Sequence, residues 1–412
     1  MKNIRKIPPR WDDRQVRIKG WNREALKNAV ILIEGAGAIS NEVIKNLALL
    51  GIGHVIICDF DRVELSNLTR TILFTKQDIG ELKAPLAARR FLELNLEETA
   101  SADYFLGDIS YELGDGVFRR VDLVLGCLDN VETRFSVNRI CMRYDIPYID
   151  AAIGSLDWNM HVMNGHGYGC MECYAGNALN ESRTRSSCSD TMSKAEEQGK
   201  AATVQTASAI VAGFQVQEAL RILCGMSPSF GREYMFFSDG NRMYNFPMEQ
   251  DPKCEAHLTK ARKEVEKTPL SCGNTLREFL AYVKEKGFDT LDVSMDKERG
   301  FVLSAPCPYC RSEVPVRLPY YRYFANDFFC EDCRRENRGF FNKVDKSDLC
   351  MYDCYSLADT PQELLDMPLA KLGIPALHVL TVRDSETGKT AFFELTADLS
   401  EVLPGYSKKI GK

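Results

Sequence analysis

From residue 30 to about 165, short β-branched apolar runs alternate with stretches whose apolar positions recur at helical spacing. VILIEG (30–35), HVIICD (54–59), VDLVLGC (121–127) and PYIDA (147–151) predict strands, and the intervening segments are long enough for crossover helices. This alternation predicts an α/β class with a doubly wound, Rossmann-like sheet. Residues 175–202 turn to Asn, Ser, Thr, Arg, Glu and Gly, a long polar crossover loop that predicts function or mobility. A helical segment, ATVQTASAIVAGFQVQEALRIL, follows it, and REYMFF and RMYNFP then flank Ser238-Asp239-Gly240-Asn241 as a hairpin that extends the sheet. The charged stretch 257–269 marks a boundary, giving units at 1–266 and 267–412. The second unit reads as a smaller α+β domain. It has helix-like TLREFLAYVKEKG and PQELLDMPLAKLG and an apparent hairpin, ALHVLTVRDSETGKTAFFELT.

Composition narrows the function classes. The 412 residues are 45% apolar and 27% charged, with a net charge of -6, which excludes wholesale disorder and nucleic-acid binding driven by bulk charge. No apolar run approaches the ~20 residues of a membrane span, and MKNIRKIPPRWDDRQ has no signal-peptide core. The expectation is a cytoplasmic protein without nucleic-acid or membrane partners.

Fifteen cysteines are too few for a disulfide scaffold at this length. Cys170 and Cys173, Cys307 and Cys310, and Cys330 and Cys333 form Cys-x-x-Cys pairs, which in a reducing compartment read as zinc ligands. The last two pairs, with 19 residues between them, read as a zinc ribbon on spacing alone. Cys58, Cys127, Cys141 and Cys224 fall in apolar patterns and read as buried small hydrophobes, and Cys350 and Cys354 as ordinary thiols.

Gly35-Ala36-Gly37-Ala38-Ile39-Ser40 follows the first strand and opens a helix, where backbone N–H groups can cradle phosphates. Alone this signal is weak, because Ser40 stands at the third glycine position. Asp59 ends the second strand 22 residues after Gly37, where a carboxylate can accept from ribose hydroxyls. Asn67, Arg70 and Lys83 follow, and Asp129 lies just past a later strand. Hydride transfer has no need of cations near the phosphates. Expulsion of pyrophosphate needs cations and a magnesium carboxylate.

In these motifs the sequence resembles the ubiquitin-activating-enzyme-like (ThiF/MoeB-type) adenylyltransferases over roughly residues 10–260. The resemblance implies that GAGAIS, with Gly35 and Gly37, is the ATP loop and Asp59 the ribose contact. It implies that Asn67, Arg70 and Lys83 contact phosphates and that Asp129 holds magnesium. WDDRQVRIKGWN is similar to the family's N-terminal element, so Arg14 would reach into a partner subunit's site in a homodimer. The departures are Ser40 for the third glycine and Thr71 for the usual Gln. The family pattern also places a second ligand pair after the last hairpin, a place held here by Cys254 and His257, which with Cys170 and Cys173 would form a structural zinc site. Resembling enzymes often carry a reactive cysteine in the crossover loop; here that is Cys188, with Arg183 and Arg185 nearby to favour its thiolate.

The implied function is ATP-dependent adenylation of the C-terminal carboxylate of a small ubiquitin-like or sulfur-carrier protein, followed by thioester formation on Cys188. A peptide-tailoring adenylyltransferase acting on a ribosomally made precursor peptide shares the same core, and the sequence does not choose between them. The expected cofactors are ATP, magnesium and two structural zinc ions.

Overall fold

The computed structural model describes residues 10–165, 167–175, 203–258, 264–288, 291–294, 299–336, 344–384 and 386–405. Eight strands form the main sheet: β1 (Val30–Glu34), β2 (His54–Cys58), β3 (Ser101–Phe105), β4 (Leu123–Gly126), β5 (Tyr148–Ile153), β6 (Trp158–Met163), β7 (Arg232–Phe237) and β8 (Arg242–Pro247). Their order is β3-β2-β1-β4-β5-β6-β7-β8. The first five are parallel, and β6, β7 and β8 join as antiparallel neighbours. The hairpin β7–β8 extends the sheet as the sequence predicts, whereas β3 and β6 have no counterpart among the strands read from sequence. The central strands are buried on both faces, which is why they read as continuous apolar runs.

Helices α1 (Arg23–Asn28), α2 (Ala38–Leu50), α3 (Lys83–Leu94), α4 (Asp115–Phe118), α5 (Val131–Tyr144) and α6 (Met171–Ala175) occur in chain order with the strands. Ile31, Ile33, Val55 and Ile57 face one way, into a core with Val43 and Leu47 of α2, Phe91 of α3, and Val211 and Val216 of the long helix Gln205–Leu223. Leu32, Ile56, Val124 and Tyr148 face the other way, into a core with Val117 of α4 and Val137 and Ile140 of α5. The crossovers therefore lie on opposite sides of the sheet, with the reversal between β1 and β4. In an open α/β sheet that reversal leaves a crevice at the carboxyl ends of the strands, where ligands bind.

The second core also takes in Leu377, Val379, Phe392 and Leu403, so the C-terminal part of the chain packs directly on the main sheet. That part holds β9 (Val265–Lys267), β10 (Leu291–Ser294), β11 (Phe301–Pro306), β12 (Glu313–Pro319), β13 (Cys350–Tyr352), β14 (Cys354–Tyr355), β15 (Val379–Asp384) and β16 (Thr390–Glu394). They form a five-stranded sheet, β14-β10-β15-β16-β9, and a three-stranded sheet, β12-β11-β13. β9 spans the expected boundary at 266 and pairs with β16, so the five-stranded sheet draws on both sides of it. The segment PQELLDMPLAKLG is not one helix: it makes a turn of helix at Gln362–Leu365 and a 3-10 turn at Leu369–Leu372, with Pro368 between them. Cys350 and Cys354 sit on strands, both exposed, and Cys224 is half-buried at a helix end. Among the described residues no helix is long and apolar enough to cross a membrane.

Candidate functional site

The crevice between the carboxyl ends of β1 and β4 collects Gly35, Gly37, Asp59, Lys83 and Asp129. Gly35 leaves β1 with φ +84°, in the left-handed region that favours glycine, and a Cβ there would stand 2.8 Å from Leu128 Cδ2. That same contact places the loop after β4, with Asp129 next to Leu128, beside the glycine turn. Gly37 caps α2 in extended conformation without a side-chain cap, and no described residue lies within 4 Å of where its Cβ would be. The first N–H groups of α2 have no helical carbonyl to bond, an arrangement suited to an anion. Ser40 is fully buried, so its small side chain is accommodated where the third glycine is expected.

Asp59 closes the turn. Its Oδ2 accepts from Ala36 N at 2.7 Å and its Oδ1 from Asp61 N at 2.7 Å. Burial pushes the Asp59 carboxyl above its ordinary range, against the pull of Lys83 and these two N–H donors. Lys83 is buried at the start of α3 and donates to Asp61 Oδ2 at 2.9 Å. Asp61 is thus the carboxylate that holds Lys83 beside Asp59.

Asn67 and Arg70 lie in the segment between β2 and α3. Asn67 Oδ1 accepts from Glu64 N at 3.0 Å, and Arg70 Nη1 donates to Ser66 O at 3.0 Å. Thr71 is buried and donates from Oγ1 to Asn67 O. Asn41, which the sequence did not single out, ties this segment to the glycine turn: its Nδ2 donates to Ala36 O and Gly37 O at 2.9 and 2.8 Å, and its Oδ1 accepts from Leu73 N at 3.0 Å. An Asn on the first turn of a helix after a glycine loop is the signal that would have found it.

Asp129 is exposed and has no ion-pair partner among the described residues. Arg14 is exposed too, and it is remote from this crevice. Its neighbour Gln15 donates to Leu49 O at 3.1 Å, and Arg23, stacked 4.5 Å over the Trp11 ring, donates to Leu50 O and Gly51 O. The arm is therefore pinned at the far end of α2, whose 13 residues span ~20 Å. Cys188 lies outside the described residues.

Directly beneath the rim, strand register lines up ionisable side chains that the sequence could not connect. Glu34 pairs with Gly126, Gly126 with Asp150, Asp150 with His161, and His161 with Glu233, one row across five strands. Asp150 takes Arg134 of α5 through both carboxylate oxygens, with Nε to Oδ1 at 2.9 Å, and lies 3.3 Å from His161 Nδ1; His161 Nε2 lies 3.3 Å from Glu233. Burial pushes the Asp150 carboxyl up, but Arg134 and His161 outweigh it and hold it down at about 2. Glu34, buried beside Asp150, is pushed up.

Among the described residues two sets of four ligands are preformed, the ligand atoms of each lying within 4.8 Å of one another. Cys170 and Cys173 follow β6, and Cys254 and His257 follow β8. Cys170 is buried and accepts from Asn138 Nδ2 of α5 at 3.5 Å. Both ring nitrogens of His257 are buried and have no hydrogen-bond partner among the described residues. An orphaned imidazole among three thiols fits a metal ion, which would satisfy one nitrogen. The second set sits at one end of the β11–β12 hairpin. Cys307 and Cys333 are buried, Cys310 is exposed, and the Tyr309 and Phe329 rings stack 5.3 Å apart beside them.

The ThiF family matches residues 13–256. The SUMO-activating enzyme subunit 2 of Dictyostelium discoideum is 36% identical over 151 residues, covering 36% of this chain and 22% of that protein. The sulfur carrier protein ThiS adenylyltransferase of Escherichia coli (strain K12) is 28% identical over 236 residues, covering 56% of this chain and 87% of that protein. The crystal structure of E. coli MccB matches with a TM-score of 0.49 and 25% identity, over 57% of this chain and 66% of that one. The chain thus spans about a fifth of the length of the SUMO-activating subunit.

Proposed function

The chain belongs to the ThiF family, and from that premise we propose that it is an ATP-dependent adenylyltransferase activating the C-terminal carboxylate of a small ubiquitin-like or sulfur-carrier protein. The observation that carries this reading is the gathering of Gly37, Asp59, Lys83 and Asp129 around the one crevice where the sheet order reverses. A C-terminal carboxylate, with a free pKa near ~3.5, is ionised at pH 7 and needs no general base. One of its oxygens attacks the α-phosphorus of ATP, the bond from that phosphorus to the bridging oxygen breaks, and pyrophosphate leaves with the electron pair. The chain's own work is positioning and charge. The N–H groups opening α2 take phosphate oxygens, and each Asp59 oxygen keeps a lone pair for a ribose hydroxyl. Lys83 and Arg70 offset the charge of the departing pyrophosphate, and Asn67 adds a phosphate contact. Asp129, exposed and without an ion-pair partner among the described residues, would hold magnesium, which would supply further neutralisation of the phosphate oxygens.

Arg14 is assigned to the pocket of a second copy. Its anchoring at the far end of α2 supports a role in trans, and a homodimer with twofold symmetry would complete both sites. Cys188 is assigned as the thiol that takes the acyl group from the adenylate, releasing AMP. Zinc is the ion proposed for both ligand sets, since sulfur-rich tetrahedral sites with no open position suit it structurally. The three-stranded sheet with Cys307, Cys310, Cys330 and Cys333 is read as a zinc ribbon. The end of the family match at 256 supports a boundary between units 1–266 and 267–412, which β9 crosses to pair with β16. Ligand sets of reduced thiols support a cytoplasmic location.

The test is pyrophosphate exchange into ATP by the purified chain with candidate ubiquitin-like proteins ending in glycine. Exchange that requires magnesium and the carboxylate partner is expected. Exchange with none of them, or hydride transfer to NAD instead, would contradict the reading.

A further inference from the structure

The part of the chain beyond the family match reaches the nucleotide crevice through one loop. Phe105 ends β3 and its carbonyl accepts from Asp59 N at 3.1 Å, so the loop that follows, 107–112, starts beside the glycine turn. From there it runs across the carboxyl edge of the sheet, because Tyr111 donates from its hydroxyl to Glu132 Oε1 at 3.0 Å. Glu132 is in the first turn of α5, behind the cap Asn130 and three residues from Asp129. A loop leaving β3 thus ends on the helix that follows β4, three strands further over in the sheet order.

Three residues of the C-terminal part grip this loop. Arg299 is only 3% exposed, and it spends its guanidinium on Tyr111 O and Ser110 O, both at 2.7 Å. A buried guanidinium must be fully engaged, and a planar fork across two successive carbonyls fixes the loop backbone in a way a single ammonium cannot. The Tyr321 ring stacks on Tyr111 with centroids 4.8 Å apart and planes 3° from parallel. Arg322 pairs with Glu112, which itself accepts from Asp108 N at 3.0 Å. Tyr320 N, next to Tyr321, donates to Gly300 O, next to Arg299, so all three grips lie at one end of the β11–β12 hairpin. The Cys307–Cys310 turn lies at the other end.

We infer that Arg299, Tyr321 and Arg322 are positioning residues for the adenylation site, acting through Tyr111 and Glu132 on the first turn of α5 and so on Asp129. The inference rests on the adenylyltransferase reading above. Once the loop is held, the Tyr111 hydroxyl fixes Glu132, and the Asn130 cap and Asp129 keep their place at the mouth of the crevice. The C-terminal part then serves as a fixed support of the nucleotide site.

The experiment uses the full chain and measures pyrophosphate exchange against ATP and against magnesium. Tyr111→Phe keeps the ring stack and removes only the hydroxyl; it is expected to raise the magnesium midpoint and the KM for ATP about tenfold, with kcat changed less, because a hydrogen bond to a charged acceptor is lost. Tyr321→Ala is expected to shift the same two quantities in the same direction, and Tyr321→Phe to restore them to within about twofold of wild type. Glu132→Gln combined with Tyr111→Phe should cost no more than either alone. Wild-type midpoints in both Tyr111→Phe and Tyr321→Ala would overturn the inference. If the wild type itself shows no exchange, the functional reading fails, and calorimetric binding of magnesium–ATP to the same variants then decides the inference: a weaker Kd in Tyr111→Phe supports it and an unchanged Kd overturns it.

Discussion

Two sets of charges occupy the same end of the main sheet, one turn of chain apart, and they are built in opposite ways. At the rim, Asp129 is exposed without an ion-pair partner among the described residues, and Lys83 pairs with the exposed carboxylate of Asp61. Beneath it, Arg134, Asp150, His161 and Glu233 are buried and paired with one another. A buried charge must be compensated from within the fold, whereas an exposed one is left to a ligand. The difference teaches that the buried row holds strands and α5 in place, while the rim is free for chemistry. Variants of the row should therefore unfold the chain, and variants of the rim should silence it while it stays folded.

The largest effect is expected at the row. Arg134→Ala strands Asp150 in the core and should destabilise the chain by ~3–5 kcal/mol in denaturant unfolding. Unfolding coincident with wild type would erase the contrast between row and rim. The ligand sets carry the same contrast on a second scale. Cys254→Ser should remove one of the two proposed zinc ions and lower the melting temperature of the main sheet, because its neighbours Cys170 and Met248 belong to the sheet's core. Cys310→Ser, at an exposed position, should remove the other ion with a smaller shift in melting, and elemental analysis with calorimetry reads both. The smallest effect is a pH dependence. Burial pushes the His161 ring down, but its bonds to Asp150 and Glu233 outweigh that and hold it above its ordinary 6.5. The stability it contributes is fully present below pH 6.5 and is lost as pH rises through the raised value. Melting temperature should decline over that window in wild type and decline less in His161→Gln; equal slopes would remove His161 from the row.

How much of this could be read beforehand follows from where each signal lives. Strands β1, β2, β4, β5, β7 and β8 and the helix Gln205–Leu223 were legible because each carries its own period and punctuation. The glycine turn and both cysteine sets were legible because their members recur at short fixed spacing, Cys254 and His257 with help from the family resemblance. β3 and β6 were not, since SADYF and WNMHVM mix polar and apolar residues that only their sheet neighbours bury. The row was out of reach for a related reason: Glu34, Asp150, His161 and Glu233 come from four separate strands, and only the register brings them together. Asp61 and Asn41 are intermediate. They stand next to recognised motifs, yet what they hold, Lys83 in one case and the glycine turn in the other, depends on side-chain geometry.

The central claim is that the rim makes an acyl adenylate while the row keeps the fold, and Asp129→Asn tests it most directly. The variant removes one carboxylate charge where magnesium would bind and leaves a side chain of the same size. Pyrophosphate exchange should fall at least about tenfold, the factor that ~1.4 kcal/mol of lost transition-state stabilisation gives. Its melting temperature should match wild type, because Asp129 is exposed and unpaired among the described residues. Exchange at the wild-type rate in a folded Asp129→Asn chain would contradict the account.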